Sequence, residues 1–275
     1  MPNKNYIMSI EQIKTSGYAE LTCPASLTDV ALQAMEKWQR VFALQPHLKE
    51  KTRSARNVGL VTPNTYHFTY GELALLHELA LRLDGHPRRM VFELIEASEA
   101  LWKGLAPLVL GYAQTIEREA SLRRFVEEVE WGKNSWIIEY RFDEPNGEVD
   151  GVLRLPKVAS QGLAIHVTET DAGLQHLGLN ARWQDTLTPN GNLIITPGLQ
   201  LQHRTKGEVR GLCERAVSTE KSAFLGRHTI TCLIPLRMSP SFDEVRAGKQ
   251  LTDHDEGFNY TMPYGEFANL FSYRG

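Results

Sequence analysis

Three short runs carry the residue types that can do chemistry. Glu169-Thr170-Asp171 sets two carboxylates two positions apart, Glu214 heads Glu214-Arg215-Ala216-Val217, and Arg227-His228-Thr229 sets a guanidinium and a hydroxyl two positions apart. Carboxylates that meet in a fold have two uses. They can offer hard oxygen donors, which suit magnesium, calcium or manganese. Without a metal they repel one another, so at least one keeps a proton, and its raised pKa suits a general acid or base near neutral pH. Arg227 and Thr229 share a face if they lie on a strand, and a guanidinium beside a hydroxyl can clamp a carboxylate. The bland alternatives are carboxylates that are solvated or paired with Arg215, and a structural salt bridge at Arg227.

Other polar residues are weighed against these. His166 precedes Glu169 by three positions, so a regular strand points them to opposite faces; a local bulge would bring His166 round. His176, His203 and His228 are read as surface or hydrogen-bonded histidines, and His228 alternates away from Arg227. Cys23, Cys213 and Cys232 are too few and too far apart for a disulfide framework or a CxxC metal knuckle. Cys213 is read as a buried structural thiol. The sparse cysteines fit a reducing cytoplasm.

The elements that must position these groups divide the chain in two. A short helix and an edge strand are expected over Ile7 to Leu21. A helix follows from Thr28 or Asp29, with Val30, Ala31, Ala34, Met35, Trp38 and Phe42 on one side, and Pro46 stops it. Lys49 to Pro63 is polar and aperiodic, which predicts a loop. Leu73 to Glu119 is helical, broken at Gly85-His86-Pro87, with a second kink or break expected at Gly104 and Pro107. From Trp136 the pattern changes to short strands: Trp136 to Phe142, Gly151 to Leu155, Leu163 to Val167, Asn192 to Thr196, Val209 to Leu212 and Thr229 to Ile234. Turns such as Pro145-Asn146-Gly147 and Pro189-Asn190-Gly191 separate them, which predicts an antiparallel barrel or sandwich. Ser239 to Gly275 is expected to wrap it. The boundaries are a helical region over 1–130 and a strand-rich core with a C-terminal wrap over 131–275, within one compact domain.

Composition narrows the function classes. The chain has 275 residues, 42% hydrophobic and 23% charged, enough to bury a substantial core. A net charge of −3 and a pI near 6.3 argue against nucleic acid as a general partner. No signal peptide or spanning segment is visible, so a cytoplasmic protein with no membrane partner is expected.

The second half resembles the iron(II)/2-oxoglutarate-dependent oxygenases, in the branch that includes isopenicillin N synthase. The likeness runs in order from Trp136 to Leu236: Ser135-Trp136-Ile137-Ile138-Glu139-Tyr140, then Glu169-Thr170-Asp171-Ala172-Gly173, where the family has His-X-Asp-X-Gly. Gly191 to Gly198 follows, then Leu201-Gln202 and Thr205-Lys206-Gly207. Glu214-Arg215-Ala216-Val217 stands where the family has His-Arg-Val, and Arg227-His228-Thr229 resembles its Arg-X-Ser. The resemblance implies a double-stranded β-helix (jelly-roll) barrel with packed N-terminal helices, an α+β chain. It also implies that Glu169, Asp171 and Glu214 converge at its mouth, and that Arg227 and Thr229 hold a substrate or co-substrate carboxylate. Both metal-binding imidazoles are replaced by Glu. The expected protein is therefore a small-molecule enzyme with Glu169, Asp171 and Glu214 as catalytic residues, and as ligands if a divalent cation is present. It would carry out proton-transfer chemistry (elimination, isomerisation or cyclisation) on an anionic metabolite. Iron(II) with 2-oxoglutarate is less favoured than no cofactor or another divalent cation. An oxygenase with unusual ligands and an inactive binding protein are the alternatives, and the oligomeric state stays open.

Overall fold

The computed structural model describes residues 10–178, 180–186 and 192–236. The helices and strands in order are α1 (Ile10–Ser16), β1 (Ala19–Thr22), α2 (Ala25–Phe42), α3 (Pro46–Glu50), β2 (Gly59–Thr62), β3 (Thr65–Thr69), α4 (Leu73–Leu81), α5 (Gly85–Glu119) and α6 (Phe125–Trp131). The second half adds β4 (Ile137–Asp143), β5 (Val152–Val158), β6 (Leu163–Glu169), β7 (Leu174–Leu177), β8 (Trp183–Asp185), β9 (Asn192–Pro197), α7 (Leu199–Arg204), β10 (Cys213–Val217), α8 (Ser222–Leu225) and β11 (Arg227–Ile234).

Two antiparallel sheets result. The larger has the order β1-β9-β6-β11-β4-β3-β2 and the smaller β5-β10-β7-β8. From β4 onward the chain crosses repeatedly between them, as in a jelly roll. Among the described residues no strand pairing joins the sheets, so the expected barrel is two facing sheets with the site between them.

The large sheet has one apolar and one polar face because residue type alternates along its strands. Ile138 and Tyr140 on β4, Ile230, Cys232 and Ile234 on β11, Leu163 and Ile165 on β6, and Leu193 and Ile195 on β9 join one buried cluster with the helices. Each large apolar side chain buried there contributes about 1.5–3 kcal/mol. Leu27, Ala31, Ala34, Met35, Trp38 and Val41 give α2 its buried stripe at helical spacing. This helix packs on α5 and on β6 and β11. A hydrogen bond of 2.6 Å between Ser98 of α5 and the Tyr140 hydroxyl ties the helical layer to β4.

Several expectations change at this level. The helical stretch breaks just ahead of Gly85-His86-Pro87, over residues 82–84, and these three open α5, with Pro87 in its first turn, where a missing N–H costs nothing. However, α5 runs unbroken through Gly104 and Pro107. The region 49–63 is not all loop, because α3 ends in it and β2 forms there against β3. The strand expected over Val209 to Leu212 starts later, at Cys213. Strands β1, β2 and β3 extend the large sheet, so the first half is not purely helical. The wrap over Ser239 to Gly275 and the turn Pro189-Asn190-Gly191 lie outside the described residues.

Candidate functional site

Charge alternates along β4 on the face turned away from the helices: Glu139, Arg141 and Asp143 are spaced two apart. Arg227, Thr229 and Thr231 share that face on the neighbouring β11, with Arg227 paired to Asp143 and Thr229 to Arg141. On β6 a register irregularity at Val167 sets Glu169 opposite Thr229 and His166 opposite Thr231. This is the bulge a regular strand would lack, and it turns His166 and Glu169 to the same side. From the small sheet, Glu214 of β10 faces them, flanked in register by Lys157 of β5 and His176 of β7. A second irregularity puts Arg154 opposite Ala216, on the Glu214 side. Pro156 lies within this stretch, and β5 is an edge strand, where proline is tolerated.

His166 and Glu214 join the two sheets. The imidazole Nε2 lies 2.9 Å from Glu214 Oε1, and both side chains are largely buried. Burial alone would raise the Glu214 carboxyl. The charge and hydrogen bond of His166, then Arg154 and the Thr196 hydroxyl, outweigh it and hold Glu214 below its ordinary value. An ionised carboxylate only accepts, so His166 Nε2 carries the proton and donates.

Arg227 lies at the other end of the same face and is 1% exposed. Its Nη1 is 3.4 Å from Asp143 Oδ2, its Nη2 bonds Glu169 Oε2, and its Nε donates to the Asp171 carbonyl at 3.0 Å. Two protein carboxylates therefore occupy the guanidinium that the sequence offered to a ligand. Asp171 turns its side chain elsewhere: Oδ2 accepts from the Ser222 N–H at 3.1 Å and from the Thr219 hydroxyl, fixing the approach to α8. Burial would raise this carboxyl too, but those bonds hold it low.

The three carboxylates singled out from the sequence thus have three different commitments. Glu169 sits on the large sheet with Arg227, Glu214 sits on the small sheet with His166, and Asp171 locks a loop. Among the described residues no group of three or more His, Cys, Asp or Glu side chains is placed to hold a metal ion. Arg215 is not their partner. It alternates to the outer face of β10, donates to Gln175 at 2.8 Å and lies 4.3 Å from the Trp183 ring centre. Burial and the Glu214 charge push the Cys213 thiol up, opposite to what a nucleophile needs.

Sequence reading missed much of the polar interior. Glu139 accepts from His67 at 3.2 Å and pairs with Arg141 at 3.2 Å. Burial opposes ionisation of Glu139, yet His67, Arg141 and Lys157 hold its carboxyl well below the usual range. Arg154 and Lys157 were not singled out either. The available signal was the charge at every second position of Glu139-Tyr140-Arg141-Phe142-Asp143, which marks a strand with one charged face turned inward.

No family model matches the sequence, and no curated protein matches it. Solved structures do match. The crystal structure of the rice dioxygenase for auxin oxidation superposes with a TM-score of 0.69 at 16% identity, covering 96% of this chain and 88% of that one. A full-length Neurospora crassa protein, in complex with alpha-KG and 5-formyluracil, gives 0.67 at 13% identity, covering 83% and 77%. A 2OG-Fe(II) oxygenase family protein of Caulobacter crescentus gives 0.66 at 14% identity, covering 82% and 80%. The chain therefore shares the fold of these proteins, two of them a dioxygenase and a 2OG-Fe(II) oxygenase family protein. Its residues do not fit a ferrous centre of two imidazoles and a carboxylate. Glu169 and Glu214, which the sequence resemblance sets at the two imidazole positions, are engaged by Arg227 and His166, and the residue paired with Glu214 on β5 is Lys157, whose ammonium repels a metal cation.

Proposed function

We propose that this chain is an enzyme that binds a small anionic molecule between its two sheets and moves a proton on it, without iron. The His166–Glu214 pair carries the reading. A buried carboxylate that fixes the tautomer and orientation of an imidazole is the arrangement general acid–base catalysis requires. His166 would take a proton from the bound molecule and return it at another atom, which gives isomerisation, or deliver it to a leaving group, which gives elimination. Of the carboxylates singled out in the sequence, Glu214 takes the catalytic role; Glu169 and Asp171 hold Arg227 and the α8 approach. Incubation with 2-oxo and unsaturated carboxylates in D2O tests this by NMR. Deuterium should enter a ligand C–H under anaerobic, chelated conditions and should stop in His166→Gln. Exchange that is absent throughout, or that survives in His166→Gln, contradicts the reading.

The second reading is an iron-dependent oxygenase with unusual ligands. It is favoured by the neighbours, which include the Neurospora protein bound to alpha-KG and an Arabidopsis auxin dioxygenase in a 2-oxoglutarate complex. It requires the pairs around Arg227 and Glu214 to open to a metal.

A further inference from the structure

The cations between the sheets are not equally matched. Arg227 has Asp143 and Glu169, and Arg141 has Glu139. Arg154 and Lys157, both on β5, have no ion-pair partner among the described residues, although Asp143 and Glu214 attract Arg154 from farther away. The Arg154 Nε is sealed from solvent and has no hydrogen-bond partner among the described residues. A buried guanidinium N–H left unmade is costly, so its retention needs a reason. Burial, then the neighbouring Arg227 and Arg141, lowers the pKa of Arg154 against the pull of its carboxylates. Burial and Arg141 do the same to Lys157, which keeps exposed surface at the rim. Like charges held together and short of partners are what an anion site looks like before the anion arrives.

We propose that Arg154 and Lys157 form an anion subsite on the β5 side of the interior, which binds the carboxylate or phosphate of a small molecule and sets its reacting atoms beside His166. Arg154 supplies the two-pronged contact from within, and Lys157 supplies a point charge at the entrance. This deepens the proton-transfer reading and rests on it for the chemistry, but not for the binding. It also moves the anchor from Arg227, which the protein's own carboxylates have taken, to the opposite sheet.

Calorimetric titration of the full chain with succinate and, separately, inorganic phosphate tests it. At least one should bind, and which one does tells a carboxylate subsite from a phosphate subsite. Affinity should fall about 10–100-fold in Arg154→Gln and in Lys157→Gln, and stay unchanged in Lys103→Gln on the surface of α5. Unliganded Arg154→Gln should melt close to the native chain, because the Arg154 Nε makes no hydrogen bond among the described residues. Arg154→Lys, which keeps the charge and loses the fork, covers the case in which Arg154→Gln fails to fold, and should also bind more weakly. No binding of either anion at millimolar concentration, or full affinity in folded Arg154→Lys and Lys157→Gln, overturns the subsite. Anion binding that depends on Arg154, with no proton exchange in any ligand, keeps the subsite and removes only the catalytic reading.

Discussion

His166 and Glu214 are one unit, so a double-mutant cycle should register them. Glu214→Gln and His166→Gln should each destabilise the chain, with a coupling of about 0.5–3 kcal/mol by denaturant unfolding. Additive effects would mean that the pair is incidental. Arg227 behaves differently. Its removal takes away the guanidinium that Asp143 and Glu169 share in the interior, so Arg227→Ala should cost about 3–5 kcal/mol of stability by the same measurement. Loss of ligand affinity with unchanged stability would restore it as a ligand anchor. His228 points the other way, against the rings of Trp38, Phe42 and Phe142, with no hydrogen-bond partner for its Nδ1 among the described residues. Burial lowers its pKa from 6.5 to about 4. The unfolded chain therefore binds a proton that the folded chain refuses between those values, so stability is full above pH 6.5 and is lost as pH falls towards about 4. His176, also lowered by burial, makes the chain lose stability in the same direction as pH falls below its ordinary value. His228→Phe should flatten the slope of melting temperature against pH between 6.5 and about 4; an unchanged slope would refute the assignment.

Elements place these groups through two local irregularities and one glycine. The bulge at Val167 turns His166 toward Glu214, and alternation alone points it the wrong way, because two-residue periodicity says nothing about where a strand skips a step. The irregularity around Pro156 similarly sets Arg154 and Lys157 on one face. Gly226 precedes Arg227 with φ +69°, and a Cβ there would lie 2.3 Å from the Phe142 ring and 2.7 Å from the Asp143 carbonyl. Gly226→Ala should therefore cost more than about 1 kcal/mol and tilt the start of β11, reducing stability in denaturant titration. Helix α2 and strands β4 and β11 were legible in the sequence because their periodicity follows directly from burial on one face. Strands β7 and β8 were not, being only 4 and 3 residues long, too short for a period to show.

The described structure puts its apolar core between helices and large sheet and turns the charged face of the large sheet toward the small one. The order of motifs from Trp136 onward carried the jelly-roll expectation, and neighbours with TM-scores of 0.66 to 0.69 bear out that fold. The site was less legible. Glu214 and the inward Arg227 could be named from sequence, but their partners come from β4, β5 and β6, which only three-dimensional register brings together. A carboxylate motif also cannot reveal that a guanidinium will consume it. The central claim is that Glu169 and Glu214 are engaged within the protein and leave no iron site on this oxygenase fold. Anaerobic titration of the chelator-treated full chain with iron(II), followed by calorimetry with and without 2-oxoglutarate, tests it most directly. The account predicts no saturable binding of iron(II) in either condition. One tightly held equivalent of iron per chain, strengthened by 2-oxoglutarate, would contradict it.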